Sequence, residues 1–334
     1  MTGSTRSHLT RANRTKSFKK WLCVPAFLCI CTVAGGCSTT PASSDCKEVR
    51  EEKQVSTVST AEDVKNADNG VIVSFSTALN SDQFTKNHNI RLACEAINGV
   101  VVMPGEVFSF NEIVGPRVSE VGYMEARGVE YGKSVPSVGG GICQVSTTVY
   151  NMALLSGFEI VERNPHSRPA SYVPRGRDAM VAWEISDIKW RNSIDVPVVI
   201  RASSDESRVI IGAEVAQWSD YELFFGSTSS SEDGEKLMGE KEFNSLYNDV
   251  DWKYWDHIEL DPRLIEVVKP RPMSVPNELG KSTMPSHSEA RDLLALGNEG
   301  YKVDLWRIWY LKDGSRVSEL ISNDFYEPVN AVVQ

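Results

Sequence analysis

The chain has 334 residues, 41% of them apolar, with 35 basic and 45 acidic side chains and a formal net charge of −10. That length accommodates one or two modest domains, and the apolar share is enough to build a core. The acidic balance excludes a nucleic-acid binder, which needs a basic surface to neutralise phosphates. The N-terminus reads as an address. Residues 1–20 carry six basic and no acidic side chains, Trp21 to Val33 is an apolar run, and Ala34-Gly35-Gly36-Cys37 follows. A run this short suits a secretory leader better than a membrane span, so residues 1–36 are expected to be a lipoprotein signal peptide, with Cys37 acylated after cleavage. An uncleaved anchor is the alternative. Loss of the leader removes Cys23, Cys29 and Cys31 and six positive charges, taking the net charge from −10 to about −16. Cys46 and Cys94 remain as a possible pair that sequence alone leaves open.

Residues 37–69 are rich in Ser, Thr, Ala and charged side chains and read as a flexible tether spanning about 30 Å. Val71 to Phe75 has strand character. Ile90, Cys94 and Ile97 fall at helical spacing before Asn98-Gly99, which makes Cys94 a core residue. Val100 to Met103, a Pro104-Gly105 turn and Val107 to Phe110 suggest a hairpin, and Gly115, Pro116, Gly122 and Gly128 mark loops. A second helix follows Gly139-Gly140-Gly141, carrying Val145, Val149, Met152 and Ala153 on one face and stopping at Gly157. Strand-like segments come at Phe158 to Arg163, Met180 to Ile185, Val196 to Ala202 and Val209 to Val215. The expected class is α+β, strand-rich around two helices, with one domain over 70–215. Residues 216–334 read as a linker and a small β-rich region. In it Ser227 to Glu235 is a Ser/acidic loop, Trp252 to Trp255 an aromatic cluster and Lys269 to Pro285 a proline-rich connection. Leu305 to Leu311 and Arg316 to Ile321 flank a turn.

The chemistry concentrates at Cys143. It sits at the junction of three glycines and a helix start, where free backbone N–H groups and the helix dipole favour the thiolate, the form that attacks carbonyl carbon. The glycines remove bulk beside the sulfur. A buried, inert thiol is the alternative.

The GGGICQVSTTVYN run stands in an ordered series of motifs: Phe108-Ser109-Phe110-Asn111, Gly115-Pro116-Arg117, Gly122-Tyr123, Glu162-Arg163, Pro165-His166-Ser167, Tyr172-Val173-Pro174 and Gly176-Arg177-Asp178-Ala179. Together, over roughly residues 70–202, they resemble the VanW domain family, named from vancomycin-resistance clusters. Some members are regarded as cysteine-dependent L,D-transpeptidases that make 3-3 peptidoglycan cross-links, and others have no assigned activity. The terminal hairpin resembles the G5-type modules often found after such domains, without their glycine pattern.

Of the four histidines left after the leader, His88, His166, His257 and His287, only His166 lies in a motif of the resemblance beyond the cysteine helix, so it is the expected base. Asp178 is the expected orienting group, with a local turn role as its alternative. Gln144 and the backbone N–H of Cys143 are the expected oxyanion donors, against a Gln144 that faces solvent. Arg127, Arg163 and Arg177 are candidate clamps for a peptide carboxylate. Gly141, Ser146 and Tyr172 complete the expected substrate-binding set.

No CxxC, HExxH, P-loop or GxSxG pattern is present, and neither a cofactor nor a metal is expected. The expected function is acyl transfer on peptidoglycan stem peptides through a Cys143 thioester, by a membrane-anchored lipoprotein of a bacterial envelope. The expected partners are stem peptides and the membrane, reached through the lipid anchor. The alternative is a non-catalytic wall-binding or accessory lipoprotein.

Overall fold

The computed structural model describes residues 70–130, 133–226, 237–248, 250, 253–270 and 298–329. The expected signal peptide, Cys37 and the tether lie outside the described residues, as do the Ser/acidic loop, Trp252 and most of the proline-rich stretch. The elements in chain order are β1 (Val71–Ala78), α1 (Phe84–Ile97), β2 (Val101–Val102), β3 (Val107–Ser109), α2 (Phe110–Val114), a 3-10 turn (Ser119–Val121), β4 (Glu125–Glu130) and β5 (Lys133–Val138). Next are α3 (Ile142–Leu155), β6 (Glu159–Glu162), β7 (Lys189–Arg191), β8 (Val198–Ser204), β9 (Arg208–Val215), α4 (Trp218–Phe225) and α5 (Glu240–Tyr247). The last three are β10 (Trp255–Val268), β11 (Gly300–Leu311) and β12 (Arg316–Tyr326). The strands form antiparallel sheets of order β1-β9-β8-β2, β3-β7-β6 and β10-β11-β12, plus the hairpin β4-β5.

The first sheet follows from alternation. Val73, Phe75 and Thr77 of β1 and Val209, Ile211 and Ala213 of β9 are buried at every second position, which gives the sheet an apolar face. On that sheet, α1 packs against β8 and α3 against β1 and β9. In α1 the stripe Ile90, Ala93, Cys94 and Ile97 has the i, i+3, i+4, i+7 spacing of a one-sided helix. In α3 nearly every residue from Ile142 to Leu154 is buried, so this helix runs through the core. Trp190 of β7 stacks between Phe108 at 5.2 Å and Phe158 at 4.6 Å, joining the second sheet to the end of α3.

The terminal sheet docks on the same helix. A Cβ on Gly157 would lie 2.4 Å from the Trp309 ring, so only glycine lets the indole sit there. Arg307 gives its Nη1 to the carbonyls of Leu154 (3.3 Å) and Phe158 (2.8 Å), placing a cation on the carbonyl end of α3.

The α+β class, the cysteine-bearing helix and the β-rich C-terminal region all stand. Four local readings change. Residues 100–110 are not a hairpin, because β2 pairs with β8 while β3 pairs with β7. The turn between them is tied elsewhere: Glu106 accepts the Met103 N–H, and Gly105 and Glu106 exchange backbone hydrogen bonds with Asn192. Met180 to Ile185 is not a strand; Met180 bridges Asn164, and Ala182 closes a turn on Ser186. Residues 255–268, within the stretch read as linker, form the long strand β10. Finally, α2, α4 and α5 join the two expected helices.

Candidate active site

The glycine run has a steric reason. Gly139 and Gly141 hold φ of +79° and +108°, and a Cβ on Gly140 would strike the backbone of Ala126 and Arg127 in β4 at 2.8–2.9 Å. Buried Asn89 of α1 ties the run down, giving its amide to Gly140 O at 3.1 Å and Met124 O at 2.9 Å and accepting the Met124 N–H. Gly141 is the N-cap of α3, and Cys143 is the second residue of the helix. Ile142 N–H bonds to Gly139 O and Gln144 N–H to Gly141 O, whereas the Cys143 N–H has no acceptor among the described residues.

The polar residues of α3 set the register of the next site segment. Ser146 Oγ donates to Ala179 O at 2.7 Å, Thr147 Oγ1 accepts the Ala179 N–H at 3.0 Å, and Asn151 gives its amide to Arg177 O at 2.7 Å. Arg177 returns a bond to Asn151 Oδ1. These buried polar groups are thus paired, and the pairing fixes residues 177–179 alongside the helix that carries Cys143. The Asn164–Met180 bridge then brings His166 opposite Asp178.

Cys143, His166 and Asp178 come together at one site. His166 Nδ1 is 2.6 Å from Asp178 Oδ2, which also accepts the His166 backbone N–H at 2.7 Å. The Cys143 side chain lies close enough to the imidazole for each group to shift the proton affinity of the other. In its neutral form the thiol points to Val181 O at 3.5 Å. Asp178 is 1% exposed. Its Oδ1 accepts the hydroxyl of Tyr326 at 2.5 Å, and Arg163 stands 3.5 Å away. Arg163 also donates to Asp178 O and reaches Asp324 of β12 at 2.5 Å.

Burial alone would raise the Cys143 thiol, but the hydrogen bond and charge of His166, with the charge of Arg117, bring it below its ordinary value. Burial would lower His166, yet hydrogen bonds to Asp178 and Cys143 lift it to about 9. Asp178 is lowered: burial opposes its charge, and His166, Arg163 and Tyr326 outweigh that. All three shifts favour a thiolate–imidazolium pair over a neutral thiol and imidazole.

The remaining expected residues divide. Tyr172 lies near enough to the thiol to feel its charge, and its phenol is pushed up by burial and by Cys143. Gln144 is neither an oxyanion donor nor solvent-facing: its amide is buried and committed to Thr77 Oγ1 and Ala78 O of β1. Arg163 and Arg177 are not free clamps. Both are buried, Arg163 on the Asp178 and Asp324 groups and Arg177 on Asn151 with its guanidinium over the Phe75 ring. Arg127 is exposed on β4, and its backbone rather than its side chain borders the glycine run. Sequence reasoning missed Asn89, Thr147, Asn151, Arg117, Asp324 and Tyr326. The Ser-Thr-Thr and Asn positions on an otherwise apolar helix were a readable signal, since buried polar groups demand partners. Tyr326 had none.

Residues 85–213 match the family model described as VanW like protein. The chain is 43% identical over 135 residues to the uncharacterized protein YoaR of Bacillus subtilis strain 168, covering 40% of this chain and 45% of that protein. It is 31% identical over 133 residues to the vancomycin B-type resistance protein VanW of Enterococcus faecalis strain ATCC 700802 / V583, covering 38% and 48%. The chain therefore spans about half the length of the curated relatives it matches. No solved structure matches it. The Cys143, His166 and Asp178 group lies inside the matched stretch, and residues 85–213 of this chain are a VanW-like domain.

Proposed function

We propose that this chain is a cysteine acyltransferase of the bacterial cell wall, L,D-transpeptidase-like, acting on peptidoglycan stem peptides. The observation that carries the reading is the grouping of partly buried Cys143 and His166 with buried Asp178, with the thiol lowered and the imidazole raised. Cys143 attacks the carbonyl carbon of a stem-peptide amide, a C–S bond forms, and the negative charge on oxygen falls near the free Cys143 N–H. The C–N bond then breaks as His166 gives its proton to the leaving amine. An acceptor amine attacks the thioester, its proton passes to His166, and the C–S bond breaks to restore the thiolate. If water is the acceptor, the same groups hydrolyse. The likeness to a protein named for vancomycin resistance supports a cell-wall substrate, because that antibiotic acts on the wall. Export and attachment through an acylated Cys37 belong to the same proposal. The test is to incubate purified protein with tetrapeptide stems while withholding the acceptor amine, and to look for an acyl adduct on Cys143 by mass spectrometry. A thiol that takes up no acyl group from any stem peptide refutes the proposal.

A further inference from the structure

Two cations flank the glycine run, and among the described residues no carboxylate is bound to either. A Cβ on Gly139 would lie 2.7 Å from Arg117 Cβ, and one on Gly141 2.5 Å from Lys86 Cγ, so both side chains lie flush against the run that leads into Cys143. Arg117 gives Nη2 to Asn111 Oδ1 at 2.6 Å, but its Nη1 is buried with no acceptor among the described residues. Asp187 is near enough for its charge to reach Arg117, yet its oxygens are taken by Ser109 Oγ at 2.6 Å and the Asn111 N–H at 2.9 Å. Lys86 is lowered by burial, with no carboxylate among the described residues offsetting that effect. A charged donor left buried and unpaired bears its full desolvation cost, which a ligand supplying an acceptor relieves. The indole of Trp183 lies across the Arg117 guanidinium at 5.9 Å. It is 40% exposed, on a turn where Glu184 holds φ 59°, so the cover on that side of the guanidinium is a solvent-exposed side chain and not the core. In a chain of net charge −10, this cationic edge is a local exception.

We propose that Arg117 and Lys86 form a carboxylate receptor beside Cys143, selecting acyl donors whose scissile amide is the last one of a peptide. The terminal carboxylate is the anion that every peptide offers one residue beyond that amide, and a guanidinium with a free N–H is the matching donor. The choice of peptide as ligand rests on the acyl-transfer reading, but binding can be measured without the thiol. In the Cys143→Ala background, a tetrapeptide stem with a free C-terminal carboxylate and the same peptide as its C-terminal amide are titrated by calorimetry. The carboxylate form is expected to bind about tenfold more tightly, the order of one charge-assisted hydrogen bond. Arg117→Gln should abolish the difference and Lys86→Gln should reduce it. The Lys86 side chain is only partly buried, so the second variant does not threaten the core. Equal binding of the two peptides, no binding of either, or a preference that survives both substitutions overturns the proposal. Failure of acyl transfer alone would look different: an inert Cys143 in a protein that still prefers the carboxylate.

Discussion

The hydroxyl of Tyr326, at the end of the last strand, donates to Oδ1 of Asp178 at 2.5 Å while accepting the Gly176 N–H at 2.7 Å. Asp178 thus has one oxygen on His166 and the other on a residue that lies outside the matched stretch 85–213. The terminal sheet is thereby part of the site's support. Arg307 and Trp309 seat it on the end of α3, while from β12 Tyr326 donates to the carboxylate and Asp324 holds Arg163, the cation beside it.

Tyr326→Phe tests that support. It deletes the donor to Asp178 while keeping the ring, so the fold should persist. The carboxylate loses a constraint on its orientation, and turnover is expected to fall about tenfold with KM nearly unchanged, as for a positioning residue. A structural role alone would lower the melting temperature and leave kcat intact. Steady-state kinetics together with a thermal melt separate the two.

Gly157→Ala tests the seam itself. The position has φ +77°, and the added Cβ would sit 2.4 Å from the Trp309 ring. A left-handed backbone and an overpacked contact together should cost roughly 2–4 kcal/mol. Limited proteolysis should then release the terminal sheet at lower temperature than in the parent. An unchanged melt would show that the indole shifts freely.

His166 offers a direct titration. Its pKa of about 9 rests on hydrogen bonds to Asp178 and Cys143 outweighing burial. Removing either partner removes one raising influence, so the imidazole should titrate lower in Cys143→Ala and lower in Asp178→Asn. NMR of the ring protons reads both. Values equal to the parent in both variants would mean that the three side chains are not coupled.

Asp178 sets an acid limb of stability. Its folded pKa lies below its ordinary value of 3.8, so the folded state binds that proton less readily than the unfolded chain. The stabilisation is therefore present above pH 3.8 and lost as pH falls through the lower folded value. Melting temperature against pH should decline less steeply on the acid side in Asp178→Asn than in the parent. Equal slopes would assign the acid limb to other carboxylates.

Much of this site was legible because its carriers are local. A glycine run before a periodic apolar helix announces a close backbone approach and a helix start, and Cys143 falls where those two meet. His166 and Asp178 were placed by motif order, and their contact follows from a bridge at Asn164 and Met180. Gln144 misled because its neighbour in sequence is the thiol, whereas its side chain leaves the helix on the face toward β1. Arg163 and Arg177 misled because a charge reads as exposed until its partners are known, and Asp324 lies 161 residues from Arg163. The hairpin expected at 100–110 failed for the same reason: a turn says that the chain reverses, and not which sheet its two arms join.

The location of the protein can be tested at one residue. If the basic leader, the apolar run and Ala34-Gly35-Gly36-Cys37 direct export and acylation, Cys37→Ala should leave a larger, unprocessed chain or release it from membranes. Fractionation and intact mass read both outcomes. Unchanged size and unchanged membrane partition would rule out the lipid anchor.

The nucleophile is tested by changing one atom. Sulfur is needed because His166 and Arg117 bring the thiol below its ordinary value and so favour the thiolate, whereas an alcohol in the same place stays protonated. Cys143→Ser should keep the fold, since the residue is partly buried and the change in volume is small. Formation of 3-3 cross-links from tetrapeptide stems should drop by at least about a hundredfold. Iodoacetamide labelling supplies the control: the parent should react with an inflection below the ordinary thiol range, and His166→Ala should move that inflection upward. Cross-linking retained by Cys143→Ser would remove the thioester from the mechanism and leave the accessory wall-protein reading in its place.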